Sequence, residues 1–320
     1  MRVLITNAVP ADHLTPLEGV AEVIQGPSGG DIMSRDEVLE LLPDIDGIIN
    51  QAELKVDGEL LARGAKLGIV ANVAIGTDNL DKQLMAAKGV WATNVPDAFV
   101  DSAADCALGL LLTLARRIHE ADAYVRSGEW KSFQPGVWDG VELRGKTWGI
   151  VGYGKIGRAV GDRARAFGAQ VIAYDPDAES LPEYRPLEKL LAEAEIVSIH
   201  VPLLPATRGL FDEKRLRSMK RGALLVNISR GPVVVEDALA RLLSEGHLAG
   251  AALDVFEKEP QVHPDLIQMK NVVLTPHIGG GTRESRKRAR LLCAENVARV
   301  LTGKEPITPV NRPVTAIDDA

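Results

Sequence analysis

The chain has few cysteines and no long apolar segment. Only Cys106 and Cys293 occur among its 320 residues, and both lie in apolar helical patterns. Two such cysteines are typical of buried thiols in a reducing compartment. No apolar run approaches the ~20 residues of a transmembrane helix, and the N-terminus leads directly into a strand-like segment, residues 2–6, without a signal-peptide core. We therefore expect a cytoplasmic protein that does not enter a membrane.

The chain also lacks an excess of positive charge. It has 37 Lys and Arg against 44 Asp and Glu, a net charge of −7, which disfavours nucleic acid or an anionic membrane as a partner. The densest basic run, residues 283–290, also contains Glu284, Ser285 and Ala289, and we interpret it as the solvent-facing side of a helix. No His, Cys and carboxylate cluster has metal-site spacing, and the absence of a Gly-x-Ser-x-Gly motif argues against a serine hydrolase.

Short aliphatic runs alternate with helical patterns along the whole chain. The runs are almost continuously apolar, which is typical of strands buried on both faces and predicts parallel sheets with helical crossovers. Ser34 and Glu37 have the spacing of a capping box and predict the start of a helix. The predicted strands cover residues 3–6, 47–50, 67–71, 90–93, 147–151, 170–174, 196–201, 223–228, 251–255 and 272–274.

Two longer helical patterns, residues 102–124 and 282–301, interrupt this series. We interpret them as helices that cross between two domains, which predicts an α/β fold with two doubly wound parallel-sheet domains. The first domain would hold residues 1–97 and 290–320, and the second residues 98–289. Residues 303–313 contain three prolines and predict an extended segment that lies on the first domain.

A glycine pattern, Gly152-Tyr153-Gly154-Lys155-Ile156-Gly157, follows one predicted strand and opens one predicted helix. In a dinucleotide site of this kind, the first glycine permits the tight turn, the second lets the pyrophosphate approach the backbone, and the third allows close helix–strand packing. The unpaired N–H groups at the helix N-terminus attract the phosphates. The pattern therefore predicts a dinucleotide site, and the alternative is a strand–helix turn without a ligand.

Asp175 ends the next predicted strand, 175 − 157 = 18 residues after Gly157. A carboxylate at this place can accept hydrogen bonds from both ribose hydroxyls and repels a 2′-phosphate. No Lys or Arg lies between Asp175 and Glu183 to neutralise one. The sequence therefore favours NAD(H) over NADP(H), and the alternative is that Asp175 and Pro176 only form a turn.

Three segments near the C-terminus carry a resemblance to a known family: 227–231 (NISRG), 253–260 (LDVFEKEP) and 275–280 (TPHIGG). With them the chain resembles the D-isomer-specific 2-hydroxyacid dehydrogenases over essentially its whole length. Segments 69–81 and 93–97 are most similar to the glyoxylate/hydroxypyruvate reductase branch. The resemblance implies a Rossmann coenzyme domain (98–289) inserted in a flavodoxin-like substrate domain (1–97 and 290–320).

The resemblance implies three catalytic residues, Arg230, Glu259 and His277, and general chemistry fits these roles. A guanidinium is a planar fork of donors that matches a carboxylate in two hydrogen bonds. An imidazole titrates near ~6.5 and can give a proton to a ketone oxygen. Glu259 would stabilise the imidazolium and select its tautomer. Glu257 is the alternative partner, which the family pattern disfavours.

Further contacts are also implied by the resemblance. Trp138 would either reach a neighbouring subunit's site or pack within its own chain, and a homodimer could form through the apolar helix that begins at Ser102. For the cofactor, the resemblance implies Gly152, Gly154, Lys155, Ile156, Gly157, Asp175, Val201, Pro202, Thr207, Ile228, Ser229, Asp254 and Gly279. For the substrate, it implies Gln51, Ala52, Ile75, Gly76, Arg230 and His277.

Together these features predict an NAD(H)-dependent enzyme that reduces a small 2-oxo acid, glyoxylate or hydroxypyruvate, to the D-2-hydroxy acid. Gln51 places an amide where the closest relatives have an apolar side chain, and it could favour a substrate with an extra hydroxyl. Other activities of the same family remain open: 2-ketogluconate or sugar-acid reductase, D-lactate dehydrogenase and phosphite dehydrogenase. From another class, an NADH-sensing corepressor would keep the same three residues.

Overall fold

The structure is a computed structural model that describes residues 1–51 and 53–314. The chain forms two compact units: unit 1 consists of Met1–Phe99 and Thr282–Ala320, and unit 2 of Val100–Gly281. Each unit contains one all-parallel sheet, so the predicted α/β class is confirmed. The second junction lies at Thr282 rather than at residue 290, because the final helix packs on the sheet of unit 1 from its first turns onward.

Unit 1 has a five-stranded sheet with the strand order β2-β1-β3-β4-β5, which is the flavodoxin-like order. Its strands are β1 (Arg2–Ile5), β2 (Glu22–Gln25), β3 (Gly47–Asn50), β4 (Ile69–Asn72) and β5 (Trp91–Thr93). Its helices are α1 (Arg35–Leu41), α2 (Gly58–Arg63), α3 (Lys82–Ala87) and α11 (Arg283–Leu301).

Local signals in unit 1 act as the sequence indicates. The N–H of Glu37 donates to Ser34 Oγ (3.3 Å) and the N–H of Ser34 donates to Glu37 Oε2 (2.8 Å), so α1 begins with a capping box. The proline-containing tail lies along β5, where the N–H of Val310 donates to Ala92 O (2.8 Å) and Thr308 Oγ1 donates to Asn94 O (2.6 Å).

Alternate residues of the unit 1 strands enter two apolar layers. One layer packs against α11 and includes Val3 and Cys293; the other packs against α1–α3 and includes Leu4. Burial raises the pKa of the Cys293 thiol, whose Sγ donates to Asn72 O (3.3 Å). In unit 2, burial raises the pKa of the Cys106 thiol to about 11. Both thiols are therefore protonated at neutral pH.

Unit 2 has a six-stranded sheet with the order β11-β10-β9-β8-β6-β7. The chain begins with β6, adds β7 on one side of it and then crosses to add β8 on its other side. The strand order therefore reverses between β6 and β8. Its strands are β6 (Thr147–Val151), β7 (Gln170–Tyr174), β8 (Ile196–Ile199), β9 (Leu224–Asn227), β10 (Gly250–Leu253) and β11 (Val272–Leu274). Its helices are α4 (Val100–Ala115), α5 (Ile118–Arg126), α6 (Lys155–Ala166), α7 (Leu187–Glu193), α8 (Glu213–Ser218), α9 (Glu236–Ser244) and α10 (Pro264–Gln268).

The single helix predicted over residues 102–124 is wrong, since two helices occupy this region. Arg117 has a left-handed φ of 53°, and its guanidinium binds Glu120 (3.0 Å) and the carbonyl of Val137 (2.9 Å). The break comes where the apolar stripe ends: α4 is buried against α6 and the sheet, whereas α5 has no buried residue. Eight of the 16 residues of α4 are buried in their own unit.

Two features are absent from residues 1–51 and 53–314. None of their helices combines the length and the apolar character needed to cross a bilayer. None of their His, Cys, Asp and Glu side chains form a group able to hold a metal ion.

Candidate active site

Arg230, Glu259 and His277 all follow strands of unit 2 that are neighbours in its sheet. Arg230 comes after β9, Glu259 after β10 and His277 after β11, and the sheet order is β11-β10-β9. Because the strands are parallel, their carboxyl ends meet at one edge, which is where α/β proteins bind ligands. The sheet therefore brings to one edge three side chains that lie far apart in the sequence.

His277 and Glu259 form a hydrogen-bonded pair. The distance from His277 Nδ1 to Glu259 Oε2 is 2.9 Å. Partial burial favours the neutral Glu259 carboxyl, but the His277 hydrogen bond, the N–H of Phe256 (3.0 Å) and the charges of His277 and Arg230 outweigh it and lower its pKa. An ionised carboxylate only accepts hydrogen bonds, so His277 Nδ1 carries the proton and Nε2 remains for another partner.

Arg230 is held close to this pair by its own loop. Its Nη1 donates to Ser229 O (2.8 Å), and its carbonyl accepts from Asn227 Nδ2 (3.1 Å). The next residue, Gly231, is buried so tightly against the Phe256–Glu257 peptide that a Cβ there would overlap Phe256. The loops after β9 and β10 are thus in direct contact, and the charge of Arg230 acts on Glu259.

The glycine turn lies between β6 and α6. Gly152 has a φ of 94°, and a Cβ on it would lie 2.7 Å from the backbone of His200. A Cβ on Gly157 would overlap Gly152 O, whereas a Cβ on Gly154 would meet no described atom within 4 Å. Gly154 precedes the first residue of α6, and no side chain caps this helix. Open space thus faces uncapped N–H groups, as a pyrophosphate requires.

Asp175 contacts the same turn directly. Its Oδ2 accepts from the N–H of Tyr153 (2.8 Å) and its Oδ1 from the N–H of Asp177 (3.0 Å). The carboxylate therefore lies beside the second residue of the glycine motif, where it can face a ribose.

Comparison with known proteins decides the family. The model of the "D-isomer specific 2-hydroxyacid dehydrogenase, NAD binding domain" matches residues 108–279, more than half of the chain. The chain belongs to this family. It is 42% identical to a glyoxylate reductase of Thermococcus litoralis, an alignment that covers 98% of this chain and 97% of the relative.

Solved structures agree with this assignment. A protein from Thermus thermophilus is 40% identical and has a TM-score of 0.92, with 97% of this chain and 100% of that chain covered. An NADPH-dependent glyoxylate/hydroxypyruvate reductase from Sinorhizobium meliloti is 30% identical and has a TM-score of 0.83, with 98% and 99% covered. The predictions of the family and of an enzyme are confirmed, and the cofactor class of this dehydrogenase is a nicotinamide dinucleotide.

Asp254 shapes the loop that carries His277 in this dehydrogenase. It is fully buried, and it accepts from Thr275 Oγ1 (2.6 Å), the N–H of Ile278 (2.8 Å) and the N–H of Gly279 (2.7 Å). Its carbonyl also accepts from the N–H of His277 (2.9 Å), whose φ is 54°. Three of the roughly four acceptor positions of the carboxylate are therefore occupied within the loop.

The remaining predicted cofactor residues of the dehydrogenase follow β8 and β9. Thr207 Oγ1 donates to Pro202 O (2.6 Å) and accepts from the N–H of Leu204 (2.8 Å), which folds the segment after Val201. Ser229 donates to Asn227 Oδ1 through its N–H (3.0 Å) and its hydroxyl (2.9 Å). Ile228, which also follows β9, packs on the unit 2 core. The predicted residues Lys155 and Ile156 lie elsewhere, at the start of α6.

His200 has a structural place beside the glycine turn. Burial lowers its pKa to about 3. Its Nε2 lies 2.9 Å from Ser198 Oγ, which also accepts from Trp148 Nε1 (2.9 Å) in the core. His200 is therefore neutral at physiological pH and supports the glycine turn from the neighbouring strand.

The predicted substrate residues Gln51, Ile75 and Gly76 lie at the carboxyl edge of the unit 1 sheet, and Ala52 lies outside the described residues. The carbonyls of Ile75 and Gly76 accept from Asn94 Nδ2 (2.7 Å) and Asn72 Nδ2 (3.3 Å). Among the described residues, their N–H groups donate no hydrogen bond. Two orphan N–H groups at adjacent positions can bind a carboxylate.

Asn7 is a further candidate beside Gln51, although the sequence predicts only Gln51. In the described part of the chain, both Gln51 Nε2 and Asn7 Oδ1 are buried without a hydrogen-bond partner. They follow the neighbouring strands β3 and β1 at the same sheet edge. An unpaired donor and an unpaired acceptor can together satisfy a hydroxyl, which is both. Only the buried orphan atom, which is invisible in the sequence, singles out Asn7.

Trp138 packs within its own unit. Its ring centroid is 5.2 Å from that of Tyr124 with an interplanar angle of 42°, and the guanidinium carbon of Arg117 is 5.1 Å from the ring.

Proposed function

We propose that the protein reduces glyoxylate and hydroxypyruvate to the D-2-hydroxy acids with NADH. The observation that carries this proposal is the His277–Glu259 pair, 2.9 Å apart, with the charge of Arg230 acting on the same carboxylate. The similarity to a glyoxylate reductase over 98% of the chain supports the substrate class.

His277 is the proton donor in this proposal. Glu259 accepts the Nδ1–H, so the Nε2–H is directed away from the carboxylate and is available to a ketone oxygen. The side chain of His277 is 48% exposed, which leaves Nε2 accessible. Proton transfer to the ketone oxygen as the hydride reaches C2 avoids the formation of an unprotonated alkoxide.

We propose that Arg230 binds the substrate carboxylate. A guanidinium and a carboxylate form two parallel charge-assisted hydrogen bonds, which fix direction as well as distance. Nη1 of Arg230 donates a hydrogen bond to Ser229 O, which restricts the positions that the guanidinium can adopt. This contact orients C2 of the substrate.

The bound nicotinamide supplies the hydride. The residues that would hold the dinucleotide are the glycine turn at Gly152, Gly154 and Gly157, the N–H groups at the start of α6, and Asp175 for the ribose. We propose NADH over NADPH, because the Asp175 carboxylate beside Tyr153 N–H would repel a 2′-phosphate. The S. meliloti relative is NADPH-dependent, so the preference rests on Asp175 in this chain.

Steady-state assays of the purified protein test the proposal. We expect turnover of both substrates with NADH, and a kcat/KM for NADH at least about tenfold above that for NADPH, which corresponds to about 1.4 kcal/mol. We expect Gln51→Leu to lower kcat/KM for hydroxypyruvate about three- to tenfold, the value of one neutral hydrogen bond, with little effect on glyoxylate. Gln83→Leu, at an exposed position of α3, is the matched control.

Several outcomes would contradict this. Absence of turnover with both acids, with efficient reduction of 2-ketogluconate or pyruvate, would reassign the substrate. Binding of NADH without reduction of any 2-oxo acid would favour a sensor. Equal kcat/KM values with NADPH and NADH would contradict the proposed role of Asp175. An equal loss of kcat/KM for both acids in Gln51→Leu would contradict the proposed contact with the extra hydroxyl.

We also propose a homodimer. Apolar side chains are exposed on α5 and on the segment after it: Ile118, Val125, Trp130, Phe133 and Val137. Phe133 is 84% exposed and lines one depression together with Val125 and Trp130, and an exposed apolar patch of this kind is typical of an interface. Sedimentation velocity should show a dimer at micromolar concentration, and Phe133→Asp should shift it toward monomer, with Phe167→Asp, at the exposed residue that follows α6, as the control. A monomeric wild type would contradict the proposal.

A further inference from the structure

Two glutamates of unit 2 bind each other's backbone. The N–H of Glu236 donates to Glu257 Oε2 (3.1 Å), and the N–H of Glu257 donates to Glu236 Oε1 (2.7 Å). Glu236 is 7% exposed, whereas Glu257 lies at the surface. Residues 21 positions apart are thus joined by two reciprocal hydrogen bonds. We call this arrangement the glutamate brace.

The brace supplies a helix cap that α9 lacks locally. α9 begins at Glu236, and its N-cap residue Val235 makes no side-chain cap. The first N–H groups of a helix have no partner inside the helix. Glu257 satisfies one of them from another loop, with a negative charge at the positive end of the helix dipole. The first turn of α9 therefore has a fixed partner in the loop after β10.

The two joined segments carry two of the proposed functional residues. Arg230 and Gly231 lie just before α9, and Glu259 lies two residues after Glu257. A second contact, Gly231 against Phe256, joins the same segments. Phe256 N–H also donates to Glu259 Oε1 (3.0 Å). The loop that carries Glu259 is therefore held at two residues, Phe256 and Glu257, and this fixes the position of the Glu259 carboxylate.

We propose that Glu257 and Glu236 are positioning residues that hold Glu259 against His277. Glu257 does not touch the imidazole; it acts through the backbone of its loop. This inference rests on the proposed function, because it takes the His277–Glu259 pair as the proton-donating group. It assigns a role to Glu257, the glutamate that the family pattern disfavours as partner of His277.

In the brace, the contribution of hydrogen bonding can be tested separately from the contribution of charge. Each side chain acts only as an acceptor toward an N–H, so an amide oxygen can replace the carboxylate oxygen. Burial and the nearby Glu257 charge raise the pKa of Glu236, against the opposing effects of the N–H of Glu257 and of His263. Glu257 is the better site for substitution, because it is exposed and a change there leaves the core intact.

The test compares Glu257→Ala with Glu257→Gln in the full chain. We expect Glu257→Ala to lower kcat about 10- to 100-fold, the effect of a misplacement near 1 Å, with an unchanged KM for NADH. The alkaline limb of the pH–rate profile should move to lower pH, because the Glu259 carboxylate is then held less closely to His277. Glu257→Gln should retain most of the activity and the profile of the wild type.

Glu245→Ala is the control, since Glu245 follows the other end of the same helix and binds Arg217 (3.0 Å) at the surface. Glu257→Ala with the kcat and pH profile of the wild type overturns the brace. Equal loss in Glu257→Ala and Glu257→Gln also overturns it, because charge rather than an acceptor would then be required. Failure of the proposed function is seen separately, as a wild type that reduces no 2-oxo acid.

Discussion

Replacing His277 by asparagine lowers kcat for reduction of glyoxylate by about 10²- to 10⁴-fold, the contribution of a positioned general acid. Asparagine is chosen because His277 has a φ of 54°, and Asn tolerates this left-handed region better than Ala does. The loop therefore keeps its shape while the proton donor is removed. Stopped-flow or steady-state measurement of NADH oxidation under saturating substrate gives kcat directly.

The KM for NADH should stay within about twofold, since the glycine turn and Asp175 are unchanged. His119→Asn is the control, because this histidine makes one surface contact, from Nε2 to Lys270 O (2.9 Å). Unchanged turnover in His277→Asn would refute the assignment of the donor. The lowered pKa of Glu259 means that its carboxylate is lost only below the pH at which an ordinary glutamate protonates, so the pair should persist well into the acid range.

Replacing Arg230 by alanine is expected to raise the KM for glyoxylate and to lower kcat/KM by about 10²- to 10⁴-fold. Hydrogen bonds to charged groups contribute about 1.5–3 kcal/mol each, and a guanidinium forms two with a carboxylate. Arg230→Lys should recover only a small part of this loss, because a lysine keeps the charge without the planar fork. Initial rates over a wide range of substrate concentration separate KM from kcat.

The control for Arg230 is Arg241→Ala, a surface residue of α9 whose Nη1 binds Glu213 (2.6 Å). Isothermal titration with NADH should give the same affinity in the wild type and in Arg230→Ala. If Arg230→Ala keeps its KM for glyoxylate, the arginine does not bind the carboxylate. If Arg230→Lys is fully active, charge alone suffices.

The fold could be predicted from the sequence wherever a strand is buried on both faces. β3 and β6 begin and end where the aliphatic runs do, and almost all of their residues are buried. β2 was missed, because it is an edge strand whose four residues Glu22–Gln25 are exposed or only half-buried. Its apolar run, Val23 and Ile24, is too short to stand out. The break at Arg117 was missed for a different reason: a left-handed residue leaves no mark in the periodicity of its neighbours.

The candidate site could be predicted in part for a similar reason. Arg230, Glu259 and His277 each follow a strand that the sequence marks, so the parallel sheet places them at one edge. The brace between Glu236 and Glu257 and the triple hydrogen bond at Asp254 could not be predicted, because each joins backbone groups of segments more than 20 residues apart. Such contacts depend on loop geometry rather than on residue type.

Gly231 limits how this enzyme can change. No side chain fits between its backbone and Phe256. We therefore expect that no substitution of Gly231 is tolerated, whether it arises naturally or in directed evolution. The tight packing of Gly231 therefore also constrains the position of Arg230, which we propose binds the substrate carboxylate. We therefore expect that new substrate ranges, natural or engineered, arise at positions such as Asn7 and Gln51, where unpaired buried atoms leave freedom to vary.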